Sequence, residues 1–456
     1  MLIAILSVSI TVRLAPLVRS DLSFAYYPDD SFEYLQLADG MRSGCGFARL
    51  INGSCQTPEI LRTPGYPILL AAIGHNLRSV LAVQAVIGAL VGLMVALWLA
   101  YQWNFIAGVA AQLIIACDVP SIVMANQIMA EALFQAIIAV AVFIPLLASG
   151  RPRRAVALGV LAGLLAGLAE LTRPIAIVLP ILMPVPFLAD RKIQLRQRFC
   201  AAGMAFAIPL IIGAGWATRN YKVAQYPGLS TISAINMYYY RAADVVARQQ
   251  GTMLAATRDS FGSRLGVPFE HIFDANVQSP ELFNRMNRLA FGILAAHPIE
   301  ALVMTIQSAV YIAVTPMRSP VARMMGTAGA TAGEGLNSGA PSVSRIRATL
   351  RMILESPLLT ATVLFEALLA FILWIGLGFA IIRCVRADSN YRLWILYLFV
   401  TGLFLMMLAA GGEANVRFRS PTIPLLAAAA ALGYFPGRQS STSEGIQDSS
   451  RARSAA

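Results

Sequence analysis

Two adjacent carboxylates, Asp29 and Asp30, follow the first apolar run of the chain. Leu35 and Ala38 come after them at helical spacing, so Asp30 or Ser31 is expected to cap a helix that begins where the chain leaves the bilayer. A carboxylate at such a position can accept a proton from an incoming hydroxyl, or bind a divalent cation through oxygen. It can equally be a solvated helix cap, and the pair alone does not decide between these roles.

Arginines recur at the ends of the apolar runs. They are Arg62, Arg173, Arg219, Arg417 and Arg419. A guanidinium can bind two phosphate oxygens through two parallel hydrogen bonds, so arginines gathered at one membrane depth predict a phosphate site. The alternative for each of them is that the side chain only extends to the lipid headgroups.

Ionisable residues within or beside the apolar runs are functional candidates, because burying their charge in a bilayer is costly. Arg13, Glu131, Glu170 and Glu366 are of this kind. Glu131 begins an apolar run and is expected at the same side of the membrane as Asp30. Glu170 lies three residues before Arg173, so the two side chains could simply pair on one helix face.

Two of the five cysteines, Cys45 and Cys55, lie ten residues apart in the first polar segment. In an oxidising compartment they can form a disulfide. Two free thiols are the alternative, and no neighbouring histidine or second cysteine pair has the spacing of a zinc site. We expect the disulfide.

The elements that hold these residues are apolar to an extent that soluble domains do not reach. The chain has 456 residues, of which 57% are hydrophobic and 13% charged, and its mean hydropathy is +0.67. Soluble domains carry about 25% charged residues. Apolar runs of at least eighteen residues recur from end to end, and each can cross a hydrocarbon core of about 30 Å as a helix. The sequence predicts an all-α, polytopic transmembrane protein.

We predict ten spans, near 1–18, 79–101, 104–121, 128–148, 155–172, 174–189, 199–218, 357–382, 392–410 and 420–436. With the amino terminus inside, the basic clusters 151–154, 191–198 and 383–386 face the cytoplasm, as the positive-inside rule requires. These clusters account for much of the net charge of +12 without a soluble basic domain. The predicted partner is therefore the lipid bilayer and not a nucleic acid.

Two segments outside the bilayer, 19–78 and 219–356, are long enough to hold a site. Within the second, residues 298–316 are apolar enough to span, which would give eleven spans. We expect this stretch to lie on the outer surface as an interfacial helix. The Gly/Ala/Ser-rich segment 326–340 is expected to be flexible, and the polar tail 437–456 to be disordered in the cytoplasm.

Several short motifs, in this order, resemble the membrane glycosyltransferases of the GT-C superfamily. The similarity covers residues 1–436 and is closest to the bacterial branch related to protein O-mannosyltransferases and to the aminoarabinose and galacturonic acid transferases of lipid A. It is carried by Asp30 with Tyr34 and Ala38, Arg62-Thr63-Pro64-Gly65-Tyr66-Pro67, Glu131, Thr172-Arg173-Pro174, Arg219-Asn220 and Arg417-Phe418-Arg419. One departure is that Leu61 stands where those aminoarabinose transferases have a glutamate beside a lysine, which leaves Glu59 as the nearby acid.

The resemblance implies a transmembrane helix bundle topped by extracytoplasmic surface helices, in the inner (plasma) membrane of a bacterium. The donor would be a polyprenyl-phosphate sugar, and the acceptor a hydroxyl of a glycolipid, glycan or protein on the outer face. Asp30 would be the base, with Asp29 as the alternative, and transfer would invert the anomeric centre. The resemblance leaves a divalent metal ion open as a cofactor.

Cations beside the departing phosphate would lower the barrier, because negative charge builds up there in the transition state. The candidates for this role are Arg173, Arg417 and Arg419, followed by Arg62 and Arg219, with Glu131, Glu170, Tyr34 and Tyr66 as supporting residues. The rival interpretations are a transporter or flippase for a lipid-linked or polar solute, a membrane scaffold, and an outer-leaflet polymerase or ligase. A transporter is expected to have a site at the bilayer midplane on broken helices, whereas the charges here gather at one interface.

Overall fold

The computed structural model describes residues 1–27, 30–148, 152–274, 277, 279–327, 356–386, 389–411 and 414–435. Three predicted features lie outside them: Asp29, the tail 437–456 and nearly all of the segment 326–340.

Helices make up almost all of the regular structure. In the first half of the chain they are α1 (Leu2–Leu14), α2 (Asp30–Arg42), α3 (Gly65–Ile73), α4 (Leu77–Gln102), α5 (Phe105–Cys117), α6 (Val119–Ala125), α7 (Glu131–Leu146), α8 (Ala155–Thr172), α9 (Leu179–Leu182), α10 (Val185–Ala189) and α11 (Leu195–Ala224). In the second half they are α12 (Ile232–Ile235), α13 (Ala243–Gln250), α14 (Leu254–Leu265), α15 (Pro280–Ala296), α16 (Pro298–Val314), α17 (Arg318–Met325), α18 (Pro357–Arg386), α19 (Ser389–Ala409) and α20 (Ile423–Tyr434). The predicted all-α polytopic helix bundle is confirmed.

Among the residues that the structure describes, six helical stretches are long and apolar enough to cross a membrane, and α5 with α6 makes a seventh if this pair, bent by 57°, is one span. The six are Leu77–Gln102, Ala155–Thr172, Leu195–Ala224, Pro298–Met325, Pro357–Val385 and Tyr391–Ala409. Shorter apolar helices cover the predicted spans at 1–18, 128–148 and 174–189. The stretch predicted to lie on the outer surface is among the six, so its orientation, like the ten-span topology, stays a prediction.

Small residues let the central helix α20 approach its neighbours closely. Its residues 427–431 are five consecutive alanines, all fully buried. A Cβ atom at Gly433 would lie 2.0 Å from the carbonyl oxygen of Gly376 in α18, a distance that no side chain can occupy. Helices in a bilayer associate largely through such close packing, since lipid tails are as apolar as the helix surfaces.

Gly433→Val is therefore expected to destabilise the bundle by about 1–3 kcal/mol, the usual cost of overpacking a core. The measurement is thermal unfolding of the detergent-purified protein. Gly378→Val is the matched control, because a Cβ atom at Gly378 meets nothing within 4 Å. Equal melting temperatures for the two variants would contradict this packing.

One end of the bundle collects the segments that carry the candidate residues. Asp30 begins α2 shortly after α1 ends, and Glu131 begins α7. Arg173 is the C-cap residue of α8, and Arg417 lies in the 3-10 helix Val416–Thr422 that leads into α20. Asp30, Glu131, Arg173 and Arg417 are distant in sequence, and the helix ends bring them together.

A short hairpin and a small helical unit cover this end. Strands β1 (Ala48–Ile51) and β2 (Ser54–Pro58) pair antiparallel around Asn52 and Gly53, both with positive φ, as a two-residue hairpin turn requires. Helices α12–α15 pack around their own apolar core, which includes Ile60 and Leu61 of the first polar segment. The two segments predicted to lie outside the bilayer, 19–78 and 219–356, which we call the first and second outer segments, thus contact each other through Ile60 and Leu61.

Candidate functional site

Asp30 is the first residue of α2. The next residue, Ser31, fixes this end of the helix. The hydroxyl of Ser31 accepts a hydrogen bond from the Tyr27 amide (2.8 Å) and donates one to the Ile128 carbonyl just before α7 (2.9 Å). Because Ser31 is fully buried, these bonds hold the first turn of α2 against the bundle. The Asp30 side chain itself keeps 17% of its surface exposed, so a substrate can reach it.

Both carboxylate oxygens of Asp30 are paired with arginines. Oδ1 accepts from Nη2 of Arg62, and Oδ2 accepts from Nη1 of Arg417 at 2.9 Å. Burial raises the pKa of the Asp30 carboxyl, but the two guanidiniums outweigh burial and hold this pKa below its ordinary value. In this arrangement Asp30 is a fully ionised carboxylate and a weak proton acceptor.

Arg62 is held rigidly on three sides. Its Nε donates to Oε2 of Glu33 at 2.5 Å, its Nη2 donates to Asp30, and its guanidinium lies over the ring of Tyr34, 5.2 Å from the centroid. Tyr34 in turn packs edge-on against Tyr66 with ring centroids 4.9 Å apart, and the Tyr66 hydroxyl donates to Gln84 at 2.6 Å. Of the two tyrosines predicted as supporting residues, Tyr34 therefore packs against Arg62, and Tyr66 packs against Tyr34.

The loop that carries Arg62 is joined to the end of α8, which carries Arg173. The Thr63 hydroxyl donates to the Thr172 carbonyl at 3.0 Å. A Cβ atom at Gly65 would lie 2.5 Å from the Thr172 hydroxyl and 2.9 Å from the Leu171 carbonyl oxygen, so only glycine allows this approach. The motifs at 62–67 and 172–174, separate in sequence, are one contact in the fold.

Arg173 and Arg417 meet at a single buried carboxylate. Glu131 is fully buried, and its Oε1 pairs with Nη1 of Arg173 and lies 3.7 Å from Nε of Arg417. The centroid of the Phe418 ring lies close to both guanidiniums, 5.4 Å from that of Arg173 and 5.1 Å from that of Arg417. Two partly exposed arginines thus lie side by side, with one negative charge behind them.

The chain of ion pairs continues away from Asp30 through Glu33 and Arg49, which were not predicted as site residues, to Glu59, the acid noted near Arg62. Glu33 pairs with Arg49 at 3.4 Å as well as with Arg62, and Arg49 pairs with Glu59 at 2.5 Å. We name the whole chain the ion-pair network, in which acids and bases alternate: Glu59, Arg49, Glu33, Arg62, Asp30, Arg417, Glu131 and Arg173. Four carboxylates and four guanidiniums give it a formal charge of −4 + 4 = 0.

Arg419, predicted to bind phosphate, does not reach this network. It is 3% exposed, pairs with Glu366 of α18, and donates to the carbonyls of Ala313 (3.2 Å) and Thr315 (3.3 Å). Glu366 also accepts from the Met317 amide at 2.9 Å. These contacts hold the chain after α16 against the bundle and anchor the turn that presents Arg417.

Arg219 and Glu170 are also away from the network. Arg219 donates to the carbonyls of Glu59 and Phe47 and stacks on Trp216, so it holds the first outer segment against the end of α11. Glu170 does not pair with Arg173 in the ion pairs of the described residues. It lies buried between α8 and α11, where a Cβ atom at Gly213 would be 2.8 Å from its Oε2. Contacts to phosphate are not supported by these positions.

Cys45 and Cys55 are joined by a disulfide with Cα atoms 5.6 Å apart, across the hairpin. The hairpin carries Arg49 between them, so the crosslink closes a loop around a member of the ion-pair network. Cys117, Cys200 and Cys384 are free.

In the purified, denatured protein, three of the five thiols are expected to react with an alkylating reagent before reduction, and all five after it. Replacing Cys45 and Cys55 with serine is expected to lower the free energy of unfolding by about 2–3 kcal/mol, from the chain entropy of a short closed loop. Five reactive thiols without reductant would contradict the crosslink.

A divalent metal does not fit the side chains that the structure describes. Within those residues, no group of three or more His, Cys, Asp or Glu side chains could hold a metal ion. The acids that would be the ligands, Asp30 and Glu131, face guanidiniums instead. The cations present at Asp30 are those of Arg62 and Arg417.

The sequence offered partial signals for the missed residues. Glu33 is one helical turn after Asp30, which places both on one face of α2. Phe418 stands between Arg417 and Arg419, in one of the motifs that carry the resemblance. Nothing in the sequence distinguishes Arg49, because its partners come from α2 and from the end of the hairpin.

No protein-family model and no curated protein matches the chain. Solved structures match it in fold. The oligosaccharyltransferase AglB from Archaeoglobus fulgidus, in complex with an inhibitory peptide and a dolichol-phosphate, has a TM-score of 0.50 and 16% identity over 95% of this chain and 50% of its own. The same organism's oligosaccharyltransferase tethered to an acceptor peptide gives a TM-score of 0.50 and 15% identity over 95% and 49%. ArnT from Cupriavidus metallidurans bound to undecaprenyl phosphate gives 0.40 and 17% over 95% and 76%.

The two matches with a TM-score of 0.50 establish the fold. This chain spans about half the length of the oligosaccharyltransferase and has the architecture of its matched part. The transmembrane helix bundle that the sequence resemblance implies is confirmed as a fold.

Proposed function

We propose that this protein is an integral-membrane glycosyltransferase that moves a sugar from a polyprenyl-phosphate donor to a hydroxyl group. The observation that carries the proposal is a partly exposed carboxylate, Asp30, paired with Arg417 at one end of a helix bundle. Arg417 in turn shares the carboxylate of Glu131 with Arg173. The fold agrees with this assignment, because the oligosaccharyltransferase that it resembles was solved with a dolichol-phosphate.

Asp30 is the proposed general base. It accepts the proton of the acceptor hydroxyl, whose oxygen attacks the anomeric carbon of the donor sugar. The bond between that carbon and the phosphate oxygen breaks, and its electron pair stays on the phosphate. Attack from the side opposite the phosphate inverts the anomeric centre. A positioned base of this kind contributes about 10²–10⁴-fold to the rate.

Arg173 and Arg417 are proposed to bind the phosphate. Negative charge grows on the leaving phosphate during the reaction, so guanidiniums fixed beside it bind the transition state more strongly than the substrate. Glu131 fixes them by pairing with both from behind. Arg62 keeps Asp30 oriented, because it is held by Glu33 and Tyr34 on its other sides.

The donor lipid is proposed to lie in the bilayer with its phosphate at this end of the bundle. From the positive-inside rule we infer that this end lies on the extracytoplasmic face, because the basic clusters 151–154 and 191–198 are expected in the cytoplasm. The acceptor is then a hydroxyl of an envelope glycolipid, glycan or protein.

Mass spectrometry of envelope glycolipids and glycoproteins from three strains tests this function. The strains carry the intact gene, a deletion, or the Asp30→Asn allele. We expect one glycosylated species to be present only with the intact gene, and the unglycosylated acceptor to accumulate in the other two. Identical profiles in all three strains would contradict the proposal.

A further inference from the structure

Arg417 is held less firmly than Arg62, the other arginine on Asp30. Its Nη1 pairs with Asp30 at 2.9 Å, and its Nε lies 3.7 Å from Glu131, without a hydrogen bond among the described residues. Within the described part of the chain, the other side-chain contacts of this guanidinium are aromatic: the rings of Tyr27 and Phe418 lie 4.5 and 5.1 Å away. By contrast, Arg62 donates hydrogen bonds to two carboxylates, Glu33 and Asp30.

Within the ion-pair network, Arg417 shares its positive charge with Asp30 and Glu131. The ion-pair network has a formal charge of zero, so each guanidinium already has a carboxylate. If Asp30 is counted with Arg62, the remaining group of Arg173, Arg417 and Glu131 has a charge of +2 − 1 = +1. A donor phosphodiester carries about one negative charge, which equals the charge that Asp30 now supplies to Arg417.

We propose that the donor phosphate competes with Asp30 for Arg417, so that donor binding releases the base before the acceptor is used. This inference rests on the proposed function and assigns an order to it. The phosphate takes the Arg417 Nη1 donor, and Asp30 keeps Arg62 alone. The free Asp30 oxygen then faces the acceptor hydroxyl.

The exchange resolves a conflict in the free protein. Two guanidiniums lower the pKa of the Asp30 carboxyl, which makes it a poor base. Loss of Arg417 to the phosphate removes one of these two causes and raises the proton affinity of Asp30. During transfer, Asp30 becomes neutral as it takes the proton, and the phosphate gains the negative charge left by the sugar. Total charge is conserved: one negative charge is lost from Asp30 and gained by the phosphate that Arg417 binds.

Binding of undecaprenyl phosphate to the purified protein in detergent tests the competition. The direction in which a substitution changes the dissociation constant is the result that decides. Asp30→Asn removes the competing charge, so the dissociation constant is expected to fall roughly tenfold, within the range of coupling in one ion-pair network. Glu59→Gln is the matched control. It removes the same charge from the network, but at Arg49 and away from Arg417, and its dissociation constant is expected to match the wild type. Melting temperatures show that each variant is folded.

The outcomes separate the two proposals. Tighter binding by Asp30→Asn alone supports the competition. Equally tighter binding by both variants would show a general charge effect and would overturn the competition. Weaker or unchanged binding by Asp30→Asn would show that Asp30 positions Arg417, and would also overturn the competition. If the wild-type protein binds undecaprenyl phosphate no better than undecaprenol, the phosphate site of the proposed function itself fails.

Discussion

Asp30→Asn is expected to lower turnover per molecule by about 10²–10⁴-fold, the contribution of a positioned general base. Asparagine keeps the size of the side chain and one hydrogen-bond acceptor for the arginines, but it cannot take a proton. The measurement is turnover of the purified variant with a polyprenyl-phosphate sugar, normalised to folded protein.

Asp39→Asn is the matched control on the same helix. Asp39 lies nine residues after Asp30, its side chain is 34% exposed, and it pairs with Arg42 outside the ion-pair network. Its replacement is expected to leave turnover unchanged. Turnover in Asp30→Asn equal to that of Asp39→Asn would show that Asp30 is not the base, and the same substitution at Asp29 would then be the next to measure.

Replacing Arg173 or Arg417 with alanine is expected to lower kcat/KM for the donor by about tenfold to a hundredfold each. A hydrogen bond to a charged group contributes about 1.5–3 kcal/mol, and each of these arginines is proposed to make such bonds to the phosphate. Lysine is expected to restore only part of the loss, because a single ammonium cannot bind two phosphate oxygens as a guanidinium does.

Arg285→Ala is the control for these variants, since Arg285 is an exposed arginine of α15 that donates to the Arg264 carbonyl. It should behave as the wild type. If Arg173 and Arg417 only extended to lipid headgroups, their alanine variants would yield less folded protein with unchanged turnover per molecule. That result would contradict phosphate binding by Arg173 and Arg417.

Much of the fold could be predicted from composition and apolar runs, because a bilayer requires long apolar helices. The sequence also indicated four residues of the candidate site: Asp30, Glu131, Arg173 and Arg417. Each stands at or near the end of an apolar run, where a site at one membrane interface can form. Hairpin β1–β2 was not predicted, although Asn52-Gly53 is a strong turn signal.

Which arginine faces the site could not be predicted from the sequence. Arg417 and Arg419 are two residues apart in a 3-10 helix, which places them about 240° apart around its axis. One therefore reaches Asp30 and the other Glu366. Arg219 likewise ends an apolar run, but the carbonyls of Glu59 and Phe47 come to it only when the first outer segment folds over α11.

Donor choice by the purified protein tests the central claim most directly. Wild-type protein is assayed with one sugar, presented either as a polyprenyl-phosphate conjugate or as a nucleotide conjugate. The acceptor is the one identified from the envelope profiles. Transfer of the sugar to this acceptor is measured with each donor, together with release of the lipid phosphate. We expect turnover with the lipid-linked sugar only, and lower turnover in Asp30→Asn and in Arg417→Ala than in the wild type. Efficient use of the nucleotide sugar, or wild-type turnover in both variants, would contradict it.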